Sequence, residues 1–406
     1  MQLDKIREYA KLILIQGANI QPNQEVILTA TTEIDYFCKI LTVEAYRLGA
    51  KNVEVFYFDD AITKLRYQYG DIESFSDFEQ MKYNRIMEFV KRGACYINLI
   101  ASDPLVFMDV DGQRLKKGSE AKKQALREYL TSFMKGEFRS VFAAVPSIDW
   151  ANAIMPNDKN PVNAMWEAIF TCCHIDENGA IDNWTEHGQT LIKRSNRLSE
   201  LGIRTLHFTS KNGTDLRIDL CEDAIWGTAQ FTDKMDIKYW CNLPTEEVGA
   251  VPHKFKVNGK VVATLPLFFN GMMIDQFEFE FKEGQVVHYQ AVSGYETLKS
   301  IIETDDGAKR LGEVALVPFS STVNQTGIIY KTTLFDENAR CHLALGAGYP
   351  IGVGGEDRNT ETLVEKGLNI SSIHVDFMFG TADLKCTATT RDDVEILVME
   401  NGEIVI

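Results

Sequence analysis

The chain has 406 residues, of which 45% are hydrophobic and 25% charged, as in globular proteins of about two domains. Its 58 Asp and Glu outnumber its 42 Lys and Arg and give a net charge of −16, which argues against binding to nucleic acid or to an anionic membrane surface. No apolar run is long enough to cross a bilayer. The eight cysteines form no CxxC pair, so we expect reduced thiols in a cytoplasmic protein. From the charge and the short apolar runs, we expect no membrane partner and no nucleic-acid partner.

Short apolar strands alternate with helices in the first half of the chain. Helices are predicted over Asp4–Gln16 and Phe75–Lys91, and strands over Asn52–Phe58 and Ser140–Ala144. Strands separated by helices of this length are typical of a largely parallel sheet that is covered on both faces. We therefore predict an α/β fold that begins with an N-terminal α/β domain over residues 1–200.

From Arg204 onward, predicted strands such as Asp215–Leu220 and Asp275–Lys282 are separated by short polar turns. Turns like Lys211–Thr214 are typical of antiparallel hairpins. We therefore predict a C-terminal mixed α/β domain, rich in antiparallel strands, over residues 201–406. The segments that suggest chemistry all lie in this second domain.

Carboxylates and imidazoles recur in three of these segments. They are Glu247 in PTEEV, Glu313 in RLGEVALV, and Glu337 and His342 in TLFDENARCHLALGAGY. Each has an ordinary interpretation when it is taken alone. Glu247 fits a solvated loop, Glu313 fits a helix surface, and a histidine in an apolar strand is most often a hydrogen-bonded core residue.

The segment from Asp336 to Gly346 is predicted to change structure midway. In one continuous helix, Glu337 and His342 would lie about 140° apart and would not share a metal ion. We therefore predict a turn over Asp336–Ala339 that enters a strand over Arg340–Gly346.

The fourth segment, IHVDF at Ile373–Phe377, predicts a strand because β-branched and aromatic residues favour strands. Side chains alternate between the two faces of a strand. The apolar residues would pack inward, and His374 and Asp376 would project together from the other face, where one cation can bind both. If these two side chains are buried, they must be neutralised or coordinated.

The charges of these residues favour two metal ions over one. Four ionised carboxylates, those of Glu247, Glu313, Glu337 and Asp376, would balance two divalent cations. One cation would leave two negative charges in excess, which is costly in a partly dry pocket. Oxygen and imidazole ligands suit Zn, Co or Mn, and the absence of thiolates argues against a structural zinc knot.

The four segments resemble the signature blocks of the metallo-aminopeptidases typified by aminopeptidase T, aminopeptidase S and PepS. The likeness extends through VKRGA at 90–94, NGTDL at 212–216 and LPLFFNGMMIDQF at 265–277. The resemblance implies a homodimer that acts on peptides with a free N-terminus, and it implies two divalent ions (Zn, Co or Mn, with Mg also compatible). The ligands that it implies are Glu247, Glu313, Glu337, His342, His374 and Asp376.

The resemblance also implies roles in catalysis. Glu313 would bridge both ions, and Tyr349 matches the active-site tyrosine of the family and would donate a hydrogen bond to the oxyanion. Glu246, beside Glu247, is a candidate general base or amine anchor. His253 stands where the family often has an acid, which leaves the contacts with the substrate open.

The expected function is a metal-dependent aminopeptidase that removes N-terminal residues from peptides with a water activated by two metal ions. Two alternatives stay open at this point. Another two-metal hydrolase, a phosphoesterase or a deacylase, would need cations near the site, and the nearby segments offer only Lys331 and Arg340. A non-enzymatic dimeric scaffold with a vestigial site would be expected to lack ligands, whereas all six are present.

Overall fold

The computed structural model describes residues 2–134, 136–177, 179–355 and 359–406. Its helices are α1 (Gln2–Leu12), α2 (Asp35–Arg47), α3 (Asp60–Tyr69), α4 (Phe75–Lys91), α5 (Gly112–Met134), α6 (Ile148–Ile154), α7 (Pro161–Cys172), α8 (Ala180–Glu200), α9 (Tyr295–Ile302), α10 (Thr322–Gln325), α11 (Thr333–Asp336) and α12 (Thr360–Glu365). Within these ranges, none of the helices combines the length and apolarity that spanning a membrane requires.

The strands follow the same numbering in chain order. They are β1 (Glu25–Thr31), β2 (Asn52–Phe58), β3 (Cys95–Ile100), β4 (Ser140–Ala144), β5 (Ile203–Thr209), β6 (Asp215–Leu220), β7 (Gln230–Thr232), β8 (Lys238–Trp240), β9 (Asn242–Leu243), β10 (Val248–Ala250), β11 (Pro252–Val262), β12 (Leu267–Phe269), β13 (Met272–Lys282), β14 (Gln285–Ser293), β15 (Leu311–Leu316), β16 (His342–Gly346), β17 (His374–Met378), β18 (Lys385–Thr390), β19 (Glu395–Glu400) and β20 (Glu403–Ile404).

The chain divides into two compact units, each made of two separate stretches of sequence. The first unit comprises Met1–Glu186 and Ala229–Thr245, and the second comprises His187–Thr228 and Glu246–Ile406. The segment Ala229–Thr245 therefore returns to the first unit after the chain has already entered the second.

A parallel sheet with the strand order β2-β1-β3-β4-β9 forms the centre of the first unit. Strand β1 is buried at every position after Glu25, as expected for a strand whose two faces are both covered. The prediction of a largely parallel sheet flanked by helices is confirmed. The returning segment contributes β9, whose Asn242 pairs with Phe142.

A buried arginine fixes the returning segment within the first unit. Arg139 is 3% exposed, and its Nη1 lies 2.5 Å from a carboxylate oxygen of Asp233. Its Nε donates to the carbonyl of Ala18 at 3.0 Å, and its Nη2 donates to Gln24 Oε1 at 2.6 Å. The ion pair is thus hydrogen-bonded on several sides, as a buried charge requires.

Antiparallel sheets form the second unit, which confirms the mixed α/β architecture expected there. The larger sheet has the order β12-β13-β11-β6-β5-β18-β19-β20, with β14 paired to β13, and the smaller has the order β10-β15-β16-β17. One buried apolar cluster contains residues of both sheets, among them Phe277 from the larger sheet and Leu343 and Val375 from the smaller. The smaller sheet therefore turns one face to this core.

Candidate metal centre

The face of the smaller sheet opposite to the core carries the predicted ligands. Ile373, just before β17, and Val375 and Phe377 within it belong to the apolar cluster, so the intervening His374 and Asp376 project from the other face. This is the alternation predicted for IHVDF, and the predicted strand is confirmed.

Strand register then places the ligands of different strands side by side. Ala344 of β16 pairs with Glu313 on one side and with Asp376 on the other. The small side chain between the two acids leaves space above the sheet into which both carboxylates can extend. Gly249 of β10 contributes to the same space, because a Cβ there would lie 3.0 Å from Glu313 Oε1.

Five of the six predicted ligands form two overlapping groups among the described residues. Glu247, Glu313 and His342 have ligand atoms within 4.8 Å of one another, and so do Glu313, His374 and Asp376. Glu313 belongs to both groups. His342 Nε2 lies 3.1 Å from Glu247 Oε2, and His374 Nε2 lies 3.1 Å from Glu313 Oε2 and 3.2 Å from Asp376 Oδ1.

Glu337, the sixth predicted ligand, lies in the 3₁₀ turn Glu337–Ala339 between α11 and β16. Its side chain is buried, and burial, reinforced by the charges of Asp376 and Glu247, holds its pKa well above the usual range. These interactions place its carboxylate in the same electrostatic cluster. The predicted change from a turn into a strand is also confirmed, although the strand begins at His342.

Both imidazoles are oriented by backbone carbonyls. His342 Nδ1 donates to the carbonyl of Glu337 at 2.8 Å, and His374 Nδ1 donates to the carbonyl of Ala347 at 2.7 Å. A carbonyl only accepts hydrogen bonds, so Nδ1 carries the hydrogen in each ring. In the neutral form of each ring, Nε2 then presents a lone pair toward the carboxylates, as in metal-binding histidines.

The cluster favours positive charge at the imidazoles. Burial opposes the charged form of both rings, but the nearby carboxylates outweigh burial and raise the pKa of His342 to about 10 and the pKa of His374 well above its usual value. Asp376 Oδ1 is buried and accepts no hydrogen bond from any described residue, although His374 Nε2 is within ion-pair distance. Carboxylates and imidazoles of this kind fit a divalent cation.

Tyr349 lies beside these ligands, in the loop that follows β16. Its ring is 4.9 Å from the ring of His374, at an interplanar angle of 66°. The two basic residues that the sequence offers near the site are engaged elsewhere. Arg340 Nη1 donates to the carbonyl of Thr264 at 3.3 Å, and Lys331 Nζ lies 5.6 Å from the ring centroid of Phe268.

Three polar side chains near the ligands were not predicted to belong to the site. Thr322 and His187 contact the carboxylate of Glu246, and Asn338 accepts a hydrogen bond from the backbone N–H of Glu246. Asn338 lies next to Glu337, and this proximity is the only sequence signal that pointed to any of the three residues.

The family model of the thermophilic metalloproteases (M29) matches residues 2–404. The chain belongs to this family. Among M29 relatives, it is 36% identical to aminopeptidase 2 of Geobacillus stearothermophilus, over 99% of this chain and 97% of the relative. It is 34% identical to aminopeptidase AmpS of Bacillus subtilis, over 98% of each chain. The structure is similar to that of wild-type AmpT from Thermus thermophilus, with a TM-score of 0.93 and 29% identity over 100% of both chains.

Proposed function

We propose that this M29 metallo-aminopeptidase removes N-terminal residues from peptides with a water activated by two divalent cations. The observation that carries the proposal is the position of Glu313 in two groups of ligand atoms, one with Glu247 and His342 and one with His374 and Asp376. A carboxylate has two oxygens and can serve two ions, so each group would hold one cation, with Glu313 shared by both groups.

Charge supports two cations over one. The four carboxylates carry four negative charges when ionised, and the two imidazoles are neutral when Nε2 binds a metal. Two divalent cations would make this partly buried set neutral, whereas one would leave an excess of two negative charges in a medium of reduced dielectric constant. The ligand types are compatible with Zn, Co or Mn, and Mg remains compatible with the carboxylates.

A pair of divalent cations, when bound, supplies an acidified water at neutral pH and polarises a carbonyl oxygen. The chain's own residues would do the rest. The four carboxylates and the two imidazoles would hold the cations. Tyr349, beside His374, would donate its phenolic hydrogen to the oxyanion that develops on the scissile carbonyl.

A phosphoesterase activity receives less support from the site. Phosphate recognition usually relies on Arg or Lys side chains directed at the anion. Arg340 donates to the carbonyl of Thr264 and packs 5.3 Å from the ring centroid of Phe319. Burial also lowers the pKa of Arg340, and the acidic cluster would repel a phosphate until cations were bound.

The proposed setting is a homodimer in the cytoplasm. All eight cysteines are buried thiols, in keeping with a reducing compartment.

Strand β14, which pairs with β13, leaves the side chains of two valines exposed, Val287 at 55% and Val292 at 77%. Exposed apolar side chains on such a strand favour association between copies of the chain. Light scattering of the purified protein would test the dimer, and a monomeric mass would contradict it.

The decisive experiment measures peptide hydrolysis after chelation and after add-back of Zn²⁺, Co²⁺ or Mn²⁺. We expect activity to disappear on chelation, to return with metal, and to require a free α-amine, so that N-acetylated peptides stay intact. Titration with metal should reach two ions per chain. Activity that survives complete metal removal, or that ignores N-acetylation, would overturn the proposal.

A further inference from the structure

Glu246, immediately before the ligand Glu247, is a buried carboxylate with partners of its own. It is 5% exposed, and its Oε1 accepts a short hydrogen bond from the hydroxyl of Thr322 and a second from the backbone N–H of Thr322 at 3.3 Å. Its Oε2 lies 4.0 Å from Nε2 of His187. The neighbouring carboxylate of Glu247 faces His342 instead, so the two adjacent acids have separate environments.

Asn338 connects the backbone of Glu246 to the turn that carries Glu337. Its side chain is fully buried, and its Oδ1 accepts the backbone N–H of Glu246 at 2.7 Å. Its Nδ2 donates to the carbonyl of Leu334 at 2.9 Å and lies 3.5 Å from Glu337 Oε1. One amide group therefore contacts two segments that each carry a predicted metal ligand.

We infer that Glu246, Thr322 and Asn338 form a buried clasp that positions the ligands Glu247 and Glu337. This inference rests on the proposed metal centre. Glu246 is in this view a positioning residue and not the general base or amine anchor, because Thr322 donates to its Oε1 and its Oε2 faces His187. The clasp holds two ligands from segments that are far apart in sequence, and such outer hydrogen bonds typically change metal affinity 10- to 100-fold when they are lost.

Substitutions at Glu246 separate a positioning role from proton transfer. Glu246→Gln keeps an Oε1 acceptor for both donors of Thr322, so its Co²⁺ affinity should stay within about fivefold of wild type, the difference between charged and neutral acceptors. Glu246→Ala removes the acceptor and should weaken Co²⁺ binding roughly 10- to 100-fold. Saturating Co²⁺ should restore most of the turnover of the alanine variant.

Thr322→Val tests the same clasp from its other side. Valine has a similar shape but lacks the hydroxyl donor, so this variant should also weaken Co²⁺ binding and should alter the visible spectrum of bound Co²⁺. Thr326→Val is the matched control, because the Thr326 hydroxyl donates to the carbonyl of Val323 at 2.7 Å within the same short segment and leaves Glu246 untouched. It should keep the affinity and the spectrum of wild type.

Affinity is measured by competition with a chromogenic chelator, and turnover is measured on an unblocked peptide at saturating Co²⁺. If Glu246→Gln lost roughly 10²- to 10⁴-fold in turnover while its Co²⁺ affinity was unchanged, Glu246 would be a proton-transfer group and the clasp would be wrong. Unchanged affinity in both Glu246→Ala and Thr322→Val would also overturn it. If wild type bound Co²⁺ but left peptides intact, the proposed activity would fail and the affinity comparison would still decide on the clasp.

Discussion

The two imidazoles of the centre owe their orientation to the main chain. His374 donates from Nδ1 to the carbonyl of Ala347 and turns Nε2 toward Glu313 and Asp376. Nε2 is therefore the only ring atom of His374 with a lone pair that can bind a metal ion, because Nδ1 carries the hydrogen. We therefore expect His374→Ala to lose at least one bound metal ion per chain and nearly all peptidase activity.

The fold should survive this change, because the side chain of His374 is 23% exposed and lies outside the apolar core. Metal stoichiometry by elemental analysis and circular dichroism of the same sample would check both statements. His288→Ala is the control, since His288 is an exposed histidine on β14. Wild-type stoichiometry in His374→Ala would show that the ligand set is wrong.

Tyr349 allows a test of catalysis apart from metal binding. Its ring packs edge-on against the ring of His374, and Tyr349→Phe keeps that contact while it removes the hydroxyl. Loss of one oxyanion donor typically lowers turnover about 10²- to 10³-fold. We expect that loss with unchanged metal content, measured as kcat and by elemental analysis. The exposed Tyr69 provides a control in Tyr69→Phe, and wild-type turnover in Tyr349→Phe would assign Tyr349 a packing role.

The end of β16 shows how an element boundary supports the centre. Gly346 pairs with His374, has φ +107°, and would place a Cβ only 2.1 Å from the carbonyl oxygen of Ile373. Gly346→Ala must therefore shift the β16–β17 pairing and the Ala347 carbonyl that orients His374. We expect a loss of more than about 2 kcal/mol in unfolding free energy, together with weaker metal binding.

Denaturant unfolding of the metal-free protein would measure the first effect, and metal titration would measure the second. Gly202→Ala is the matched control, because Gly202 also has a positive φ of +57°, but a Cβ added there would meet no atom within 4 Å. Gly202→Ala should lower the unfolding free energy by only about 1 kcal/mol, which is the cost of the positive φ without a steric clash. An equal cost at the two glycines would mean that the close approach to Ile373 is unimportant.

Local patterns predicted two of the elements that carry ligands, but not strand β15, since Glu313 also fitted a helix surface. Alternation predicted the two faces of IHVDF. The turn before β16 was predicted because a continuous helix would hold Glu337 and His342 about 140° apart, too far to share a metal ion. The clasp was not predictable, because Glu246 is 76 residues from Thr322 and 92 from Asn338. The place of Ala229–Thr245 in the first unit likewise depends on distant partners, such as Arg139 for Asp233.

At the scale of the whole molecule, stability is linked to pH and to cations through the same groups. Carboxylates raise the pKa of His342 to about 10, from about 6.5 in an unfolded chain. The charged imidazole therefore stabilises the metal-free fold fully below about pH 6.5, and this contribution is lost as the pH rises toward 10. The raised pKa of Glu337 acts in the same direction, because its ionisation within the cluster is unfavourable.

Metal binding should reverse that trend. A cation needs the neutral Nε2 of His342 and an ionised Glu337, so its binding releases protons and strengthens as the pH rises. We expect Mn²⁺ to raise the melting temperature more at pH 8 than at pH 6, while the metal-free protein melts lower at pH 8 than at pH 6. Differential scanning calorimetry at several pH values, with chelator or with saturating Mn²⁺, would measure both. A Mn²⁺ effect that is the same across this range would mean that neither group gives up a proton when the metal binds.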